Sequence, residues 1–229
     1  MKSLSRTRTT ALVLGALVVL SALGYWSYTE YRKRALHTTV VKLVTDTSAQ
    51  LRDALRSEGG APAADPLGRA RALDDQATEV DARLAALRRM NAAPNRPLFD
   101  AAELYIITAR EVLRREAAHD RCEVALAASR KTLLDLLQAA GRRSESWIGR
   151  TMQAKEQFEK DAVTCRLALD AIASLLASLA EPRAQLAPDV NPALMLEEDL
   201  RAKGEEQARN AAKRATAEVE ETRRFAALH

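Results

Sequence analysis

Between Leu98 and Ala140 the chain runs for roughly 43 residues without a glycine or proline, about 60 Å as one straight helix and well beyond the usual globular length. A helix so long needs a second long helix beside it, and the sequence supplies one. Gly141 can end the first in a left-handed cap, and Ser144 or Ser146 can start the next, which runs to about Ala180 before Glu181-Pro182 stops it. On the second helix Phe158, Ala162, Cys165, Leu169, Ile172, Leu176 and Leu179 follow an alternating spacing of four and three. On the first, Cys122, Leu126, Ser129, Leu133, Leu136 and Ala140 keep the same period. Both are heptad seams, so the spacing predicts an antiparallel hairpin with coiled-coil packing.

The cysteines fix a register for that hairpin. If the turn lies at Arg143-Ser144, each residue faces the one whose number completes a sum of about 287, and Cys122 and Cys165 form such a pair. A disulfide between them is expected, and it suits an oxidising compartment. Two buried free thiols acting as small apolar residues are the bland alternative.

Residues Ala11 to Tyr28, ALVLGALVVLSALGYWSY, carry no charge and would span roughly 27 Å as a helix, close to the thickness of a bilayer's hydrocarbon. Tyr25, Trp26, Tyr28 and Tyr31 follow where an aromatic belt would sit. Lys2, Arg6 and Arg8 before the segment balance Arg32, Lys33 and Arg34 after it, so charge alone does not orient it. The basic N-terminal tail and the cysteine pair favour a single-pass signal-anchor with the rest of the chain outside the cytoplasm, periplasmic if the source is bacterial. A cleaved signal peptide is the rival reading, since Ala22-Leu23-Gly24 offers small residues after the apolar run. The chain would then be a soluble adaptor or chaperone beginning at Tyr25.

Past the membrane segment, Leu36, Val40, Leu43, Thr47, Leu51 and Leu55 share one face up to about Arg56, and the Ser-Glu-Gly-Gly-Ala-Pro run at 57–62 breaks the helix. Asp65 and Pro66 read as N-cap and first residue of the next helix. That helix carries Leu73, Ala77, Val80, Leu84 and Leu87. The reading is therefore all-α: a basic tail (1–10), a transmembrane helix (11–30), and an elongated antiparallel bundle or coiled-coil hairpin (31–181). A Pro-containing linker (182–192) and a charged C-terminal helix (193–229) follow. The last has a thin apolar stripe (Leu196, Leu200, Ala211, Ala215, Val219), which predicts an exposed or partner-dependent helix.

Composition narrows the function classes. Aromatics make up only 4% of a chain whose apolar residues are mostly Ala and Leu, and no segment alternates in a strand-like period. The net charge of +4 comes from 35 basic and 31 acidic residues interleaved along the chain, so no single-sign stripe forms for nucleic acid. Glu116-Ala-Ala-His119 has the Glu-x-x-His spacing of di-iron bundles, but no second copy exists, so these two are read as helix surface and no metal is expected. No haem-attachment motif, phosphate loop or nucleophile with a base beside it occurs, hence no cofactor, small-molecule substrate or catalytic residue is expected. Trp147 and Ile148 at the hairpin tip, with Arg142, Arg143 and Arg150, form a candidate contact patch. The expected function is a non-enzymatic, membrane-anchored scaffold or tether working through helix–helix contact with a protein partner or a second copy. An extracytoplasmic sensory or ligand-binding bundle that depends on a partner for output is the alternative.

Overall fold

The computed structural model describes residues 3–58, 65–90, 92–139 and 145–228, with side chains in all of these but 3–19, 57, 58, 94 and 226–228. Six α-helices account for nearly all of it: α1 (Ser3–Glu58), α2 (Pro66–Arg88), α3 (Arg96–Gln138), α4 (Glu145–Ser178), α5 (Ala180–Leu186) and α6 (Glu198–Leu228). Short 3₁₀ turns at Ala93–Asn95 and Pro192–Leu194 precede α3 and α6. No strand occurs among the described residues.

The local signals act as their chemistry requires. Asp65 caps α2, its Oδ1 accepting the Gly68 N–H at 2.9 Å, and Pro66 occupies the first turn, where its missing N–H has no partner to lose. All five seam residues of α2 are buried against α3, together with Ala70. On α4 the six seam positions from Phe158 to Leu176 are buried, as is Leu179 just past its end. The matching seam of α3 holds at Cys122, Ser129 and Leu133, then passes to Leu137, which is buried while Leu136 is only half-buried. A strict 3.5-residue repeat drifts relative to a helix of 3.6 residues per turn, so such a slip is expected over several turns. Ala140 and Gly141 lie outside the described residues.

α3 and α4 pack antiparallel, and the bundle is more than that pair. The first half of α3 is a central helix, with α1, α2 and α5 around it as well as α4. Leu98, Phe99, Ala102, Tyr105, Ile106, Ala109, Val112 and Leu113 are consequently all buried. Its second half meets α4, and with Val219 of α6 it forms a smaller cluster of Leu133, Leu137, Ala154 and Phe158. Tyr105 lies fully buried at the centre, and its hydroxyl is satisfied on both sides. Ser48 donates to its own helix at Val44 O (2.8 Å), so the Tyr105 hydroxyl donates to Ser48 Oγ (2.8 Å) and accepts from Leu196 N–H (3.3 Å). Burial pushes this hydroxyl's pKa above its ordinary value.

Two expectations are corrected here. Of the expected Pro-containing linker at 182–192, residues 182–186 are helical and only 187–191 are irregular. α5 spans Ala180–Leu186 with Pro182 in its opening turn, and Leu186, Val190, Met195 and Leu196 sit in the core. Three arginines satisfy carbonyls around this crossover: Arg52 on Met195 O, Arg183 on Leu196 O and Arg201 on Leu176 O, each at 2.9 Å. Nor does the C-terminal helix stand free, although most of its residues remain exposed. α6 lies along α4 with Arg201, Gly204, Ala208, Ala212 and Thr222 facing inward. Gly204 permits the approach, because a Cβ there would stand 3.2 Å from Leu176 Cδ1 and 3.5 Å from Leu55 Cδ2.

Candidate functional site

Three places along the bundle gather polar or exposed groups that packing alone does not require. The first is the base. α1 is continuous from the uncharged segment into the core, which begins at Val40 and Val44. Tyr25, Trp26, Tyr28 and Tyr31 are all more than half exposed, and the Arg32 guanidinium lies 5.4 Å from the centre of the Tyr28 ring. A cleft of about 450 Å³ opens beside the next turn. Lys33, Arg34 and His37 form its rim, and Leu36, Leu98 and Phe99 its apolar floor. A second cleft of about 520 Å³, on the face carrying Tyr28, Arg32 and Thr39, reaches Met90. His37 Nε2 is 3.2 Å from Asp189 Oδ1, which ties the α5–α6 crossover to the same level.

The sequence expectation of a transmembrane helix at 11–30 falls partly outside the described residues, since side chains up to position 19 are not described. Among the described residues, the one stretch long and apolar enough to cross a membrane is Glu145–Leu186, in the middle of the chain. Its apolar side is the α4 seam, already buried against α3 and α6. A helix packed partly into a core meets the length and composition of a span all the same.

The second place is a buried ionic cluster between α2 and α3. The Arg69 guanidinium donates to Asp120 Oδ1 at 2.7 Å and lies 3.5 Å from Glu116 Oε2. Glu116 and Asp120 are 1% and 3% exposed, a correction to the reading of Glu116 as helix surface. His119, also read as surface, is buried as well, with Nε2 3.6 Å from Glu123 Oε1. His119, Asp120 and Glu123 offer three ligand atoms within 4.8 Å of one another. Asp120 is already engaged by Arg69, however, so the cation this cluster is built around is a guanidinium. The Glu-x-x-His spacing drew attention to Glu116 and His119, but no sequence signal joined Glu116 and Asp120 to Arg69, because that partner sits on another helix.

The third place is the tip. Trp147 is half-buried and donates its indole N–H to Leu136 O at 2.9 Å, closing an end carbonyl of α3. Ile148 and Met152 are exposed, at 47% and 68%. Arg150 is exposed and turns back to Ser146 O of its own helix, at 3.2 Å. Arg142 and Arg143 lie outside the described residues, so Trp147, Ile148 and Arg150 are the part of the expected patch that can be located. Below the tip, a cleft of about 670 Å³ between α3 and α6 has Phe158 in its lining, and Arg130 and Glu218 pair across it.

Cys122 and Cys165, which bracket this distal half, have their sulfurs at bonding distance and their Cα atoms 5.4 Å apart. They are the pair picked out by the sum rule.

No family model, curated protein or solved structure matches this chain.

Proposed function

We propose that the chain is a non-enzymatic scaffold, anchored in a membrane by its N-terminal uncharged helix, whose bundle stands in an extracytoplasmic space and acts through helix–helix contact. The observation that carries this reading is the continuity of α1. One 56-residue helix contains both the uncharged segment and the first core residues of the bundle, so an anchored N-terminus would hold the whole bundle through one stiff rod. The exposed aromatics from Tyr25 to Tyr31 suit a bilayer interface, where rings with one polar end are favoured. The bonded cysteine pair suits an oxidising compartment.

Given that base, α3 sets the reach. Its 43 residues run away from the base for about 64 Å. The distal half, where α3, α4 and α6 leave the Phe158 cleft open and Ile148 and Met152 exposed, is the surface offered to a partner helix or to a second copy.

Alkaline carbonate extraction of membranes from cells expressing the full chain tests the anchor. Maleimide mass-tagging of the same fraction, with and without prior reductant, tests the compartment. Retention in the pellet with tags appearing only after reduction is the expected result. Release into the supernatant would remove the anchor, and two tags without reductant would remove the oxidising compartment.

A further inference from the structure

The cleft at the base is built for more than clearance. Its rim carries the cations Lys33 and Arg34 on one turn of α1 and His37 on the next, while its floor of Leu98 and Phe99 is apolar and belongs to α3. Two of the three rim groups have acidic neighbours. Lys33 pairs with Glu30 at 3.0 Å on exposed side chains that hold one another weakly, and the half-buried His37 lies 3.2 Å from Asp189. Arg34 is exposed and makes no ion pair among the described residues. The volume, about 450 Å³, lies in the range of small-molecule sites.

Position supplies the ligand's chemistry. Tyr28 ends the uncharged run, and Lys33 and Arg34 stand five and six residues later, roughly 8 Å further along the helix axis. The headgroup layer on each side of a bilayer is about 5–8 Å deep. A helix leaving the hydrocarbon near Tyr28 therefore carries these cations to the level of the lipid phosphates, and the cleft opens there.

We propose that this cleft binds the headgroup of an anionic glycerophospholipid. Lys33 and Arg34 hold the phosphodiester, and the glycerol end lies over Leu36, Leu98 and Phe99. Because Leu98 and Phe99 open the central helix while Lys33 and Arg34 extend the anchor, a bound lipid joins α3 to α1 at the membrane face and fixes the tilt of the bundle. The inference rests on the anchor proposed above and adds the class of lipid it recognises.

The test uses the full chain purified in a neutral detergent, titrated with dioctanoyl-phosphatidylglycerol, dioctanoyl-phosphatidylcholine or inorganic phosphate while thermal unfolding is followed by circular dichroism. Phosphatidylglycerol should bind at least about tenfold more tightly than phosphatidylcholine, since each basic group near an anionic surface contributes on the order of fivefold. Lys33→Gln with Arg34→Gln should erase the difference. Lys213→Gln with Arg214→Gln, an equal charge change on the exposed side of α6, should leave it in place. Equal binding of the two lipids, equal weakening by both double variants, or phosphate alone matching phosphatidylglycerol would each overturn the site. Carbonate extraction separates the two failures. A chain that stays in the pellet but shows no lipid preference keeps its anchor and loses this site, whereas a chain that is released loses both.

Discussion

Cys122 on α3 and Cys165 on α4 face each other with Cα atoms 5.4 Å apart, although 43 residues separate them along the chain. Both are buried, one at the junction where the central part of α3 gives way to the distal half. The bridge thus closes the two helices of the hairpin, α3 and α4, just where α1 and α2 no longer brace them.

Removing that closure should destabilise the bundle. In the chain-entropy model a closed loop of this length is worth about 4 kcal/mol, and part of that is lost if the reduced chain retains structure. Cys122→Ala with Cys165→Ala should lower the urea midpoint of the full chain in neutral detergent, and reductant should lower the wild-type midpoint to a similar value. A wild-type midpoint indifferent to reductant would show that the two sulfurs are not bonded in the folded protein.

Gly204 predicts a steric effect with a built-in contrast. Gly204→Leu would drive a side chain into Leu176 and Leu55, against which a single Cβ already stands at 3.2 and 3.5 Å. Such overpacking typically costs about 1–3 kcal/mol, and the variant should melt several degrees lower. Gly149→Ala on exposed α4 surface meets nothing within 4 Å and should instead raise the melting temperature, by up to about 1 kcal/mol of helix propensity. Equal shifts in the same direction would mean that α6 does not pack on α4 as described.

The contrast between those glycines also shows what the sequence could disclose. The seams of α2 and α4 were legible because large side chains recur at helical spacing, and Asp65-Pro66 because capping is local. The inner face of α6 was not legible. It consists of Arg201, Gly204, Ala208, Ala212 and Thr222, and small residues bury by close approach without leaving an apolar signal. Leu186, Val190 and Met195 were hidden among prolines that resemble punctuation, although arginines on α1, α5 and α6 satisfy the nearby carbonyls. Of the candidate patch at the tip, Trp147 was identified by type and place. Its bond to Leu136 O depends on a turn geometry that no residue spacing encodes. Glu116 and Asp120 look like any surface carboxylates until Arg69, on another helix, is brought beside them.

That cluster carries its own prediction. Arg69→Met would leave Glu116 and Asp120 between α2 and α3 without their guanidinium, and breaking a buried ion pair from one side costs about 3–5 kcal/mol. Adding Glu116→Gln and Asp120→Asn to Arg69→Met should recover much of the loss, because neutral amides are far cheaper to bury than carboxylates. Urea unfolding of the single and triple variants measures both steps. A single-variant loss below about 1 kcal/mol would mean that α2 does not bring Arg69 to these carboxylates.

Tyr105 makes the stability of the bundle depend on alkaline pH in a way that one variant can isolate. At neutral pH Tyr105→Phe deletes the hydroxyl that donates to Ser48 and accepts from Leu196 N–H, and a buried donor left without a partner costs about 1–3 kcal/mol. Burial holds the folded pKa above the ordinary tyrosine value of 10.0, so the unfolded chain loses this proton first as pH rises. The unfolded state then binds fewer protons than the folded one, and stability falls with pH from about 10 upward. Every other ionisable group is common to both proteins, so the difference between wild type and Tyr105→Phe reports this group alone. That difference should be largest near neutrality and should narrow as pH climbs through 10 and beyond, followed by urea unfolding at each pH. A gap that stays constant from pH 8 to pH 11 would place the Tyr105 hydroxyl in contact with solvent, and the packing of α1, α3 and the α5–α6 crossover around it would have to be redrawn.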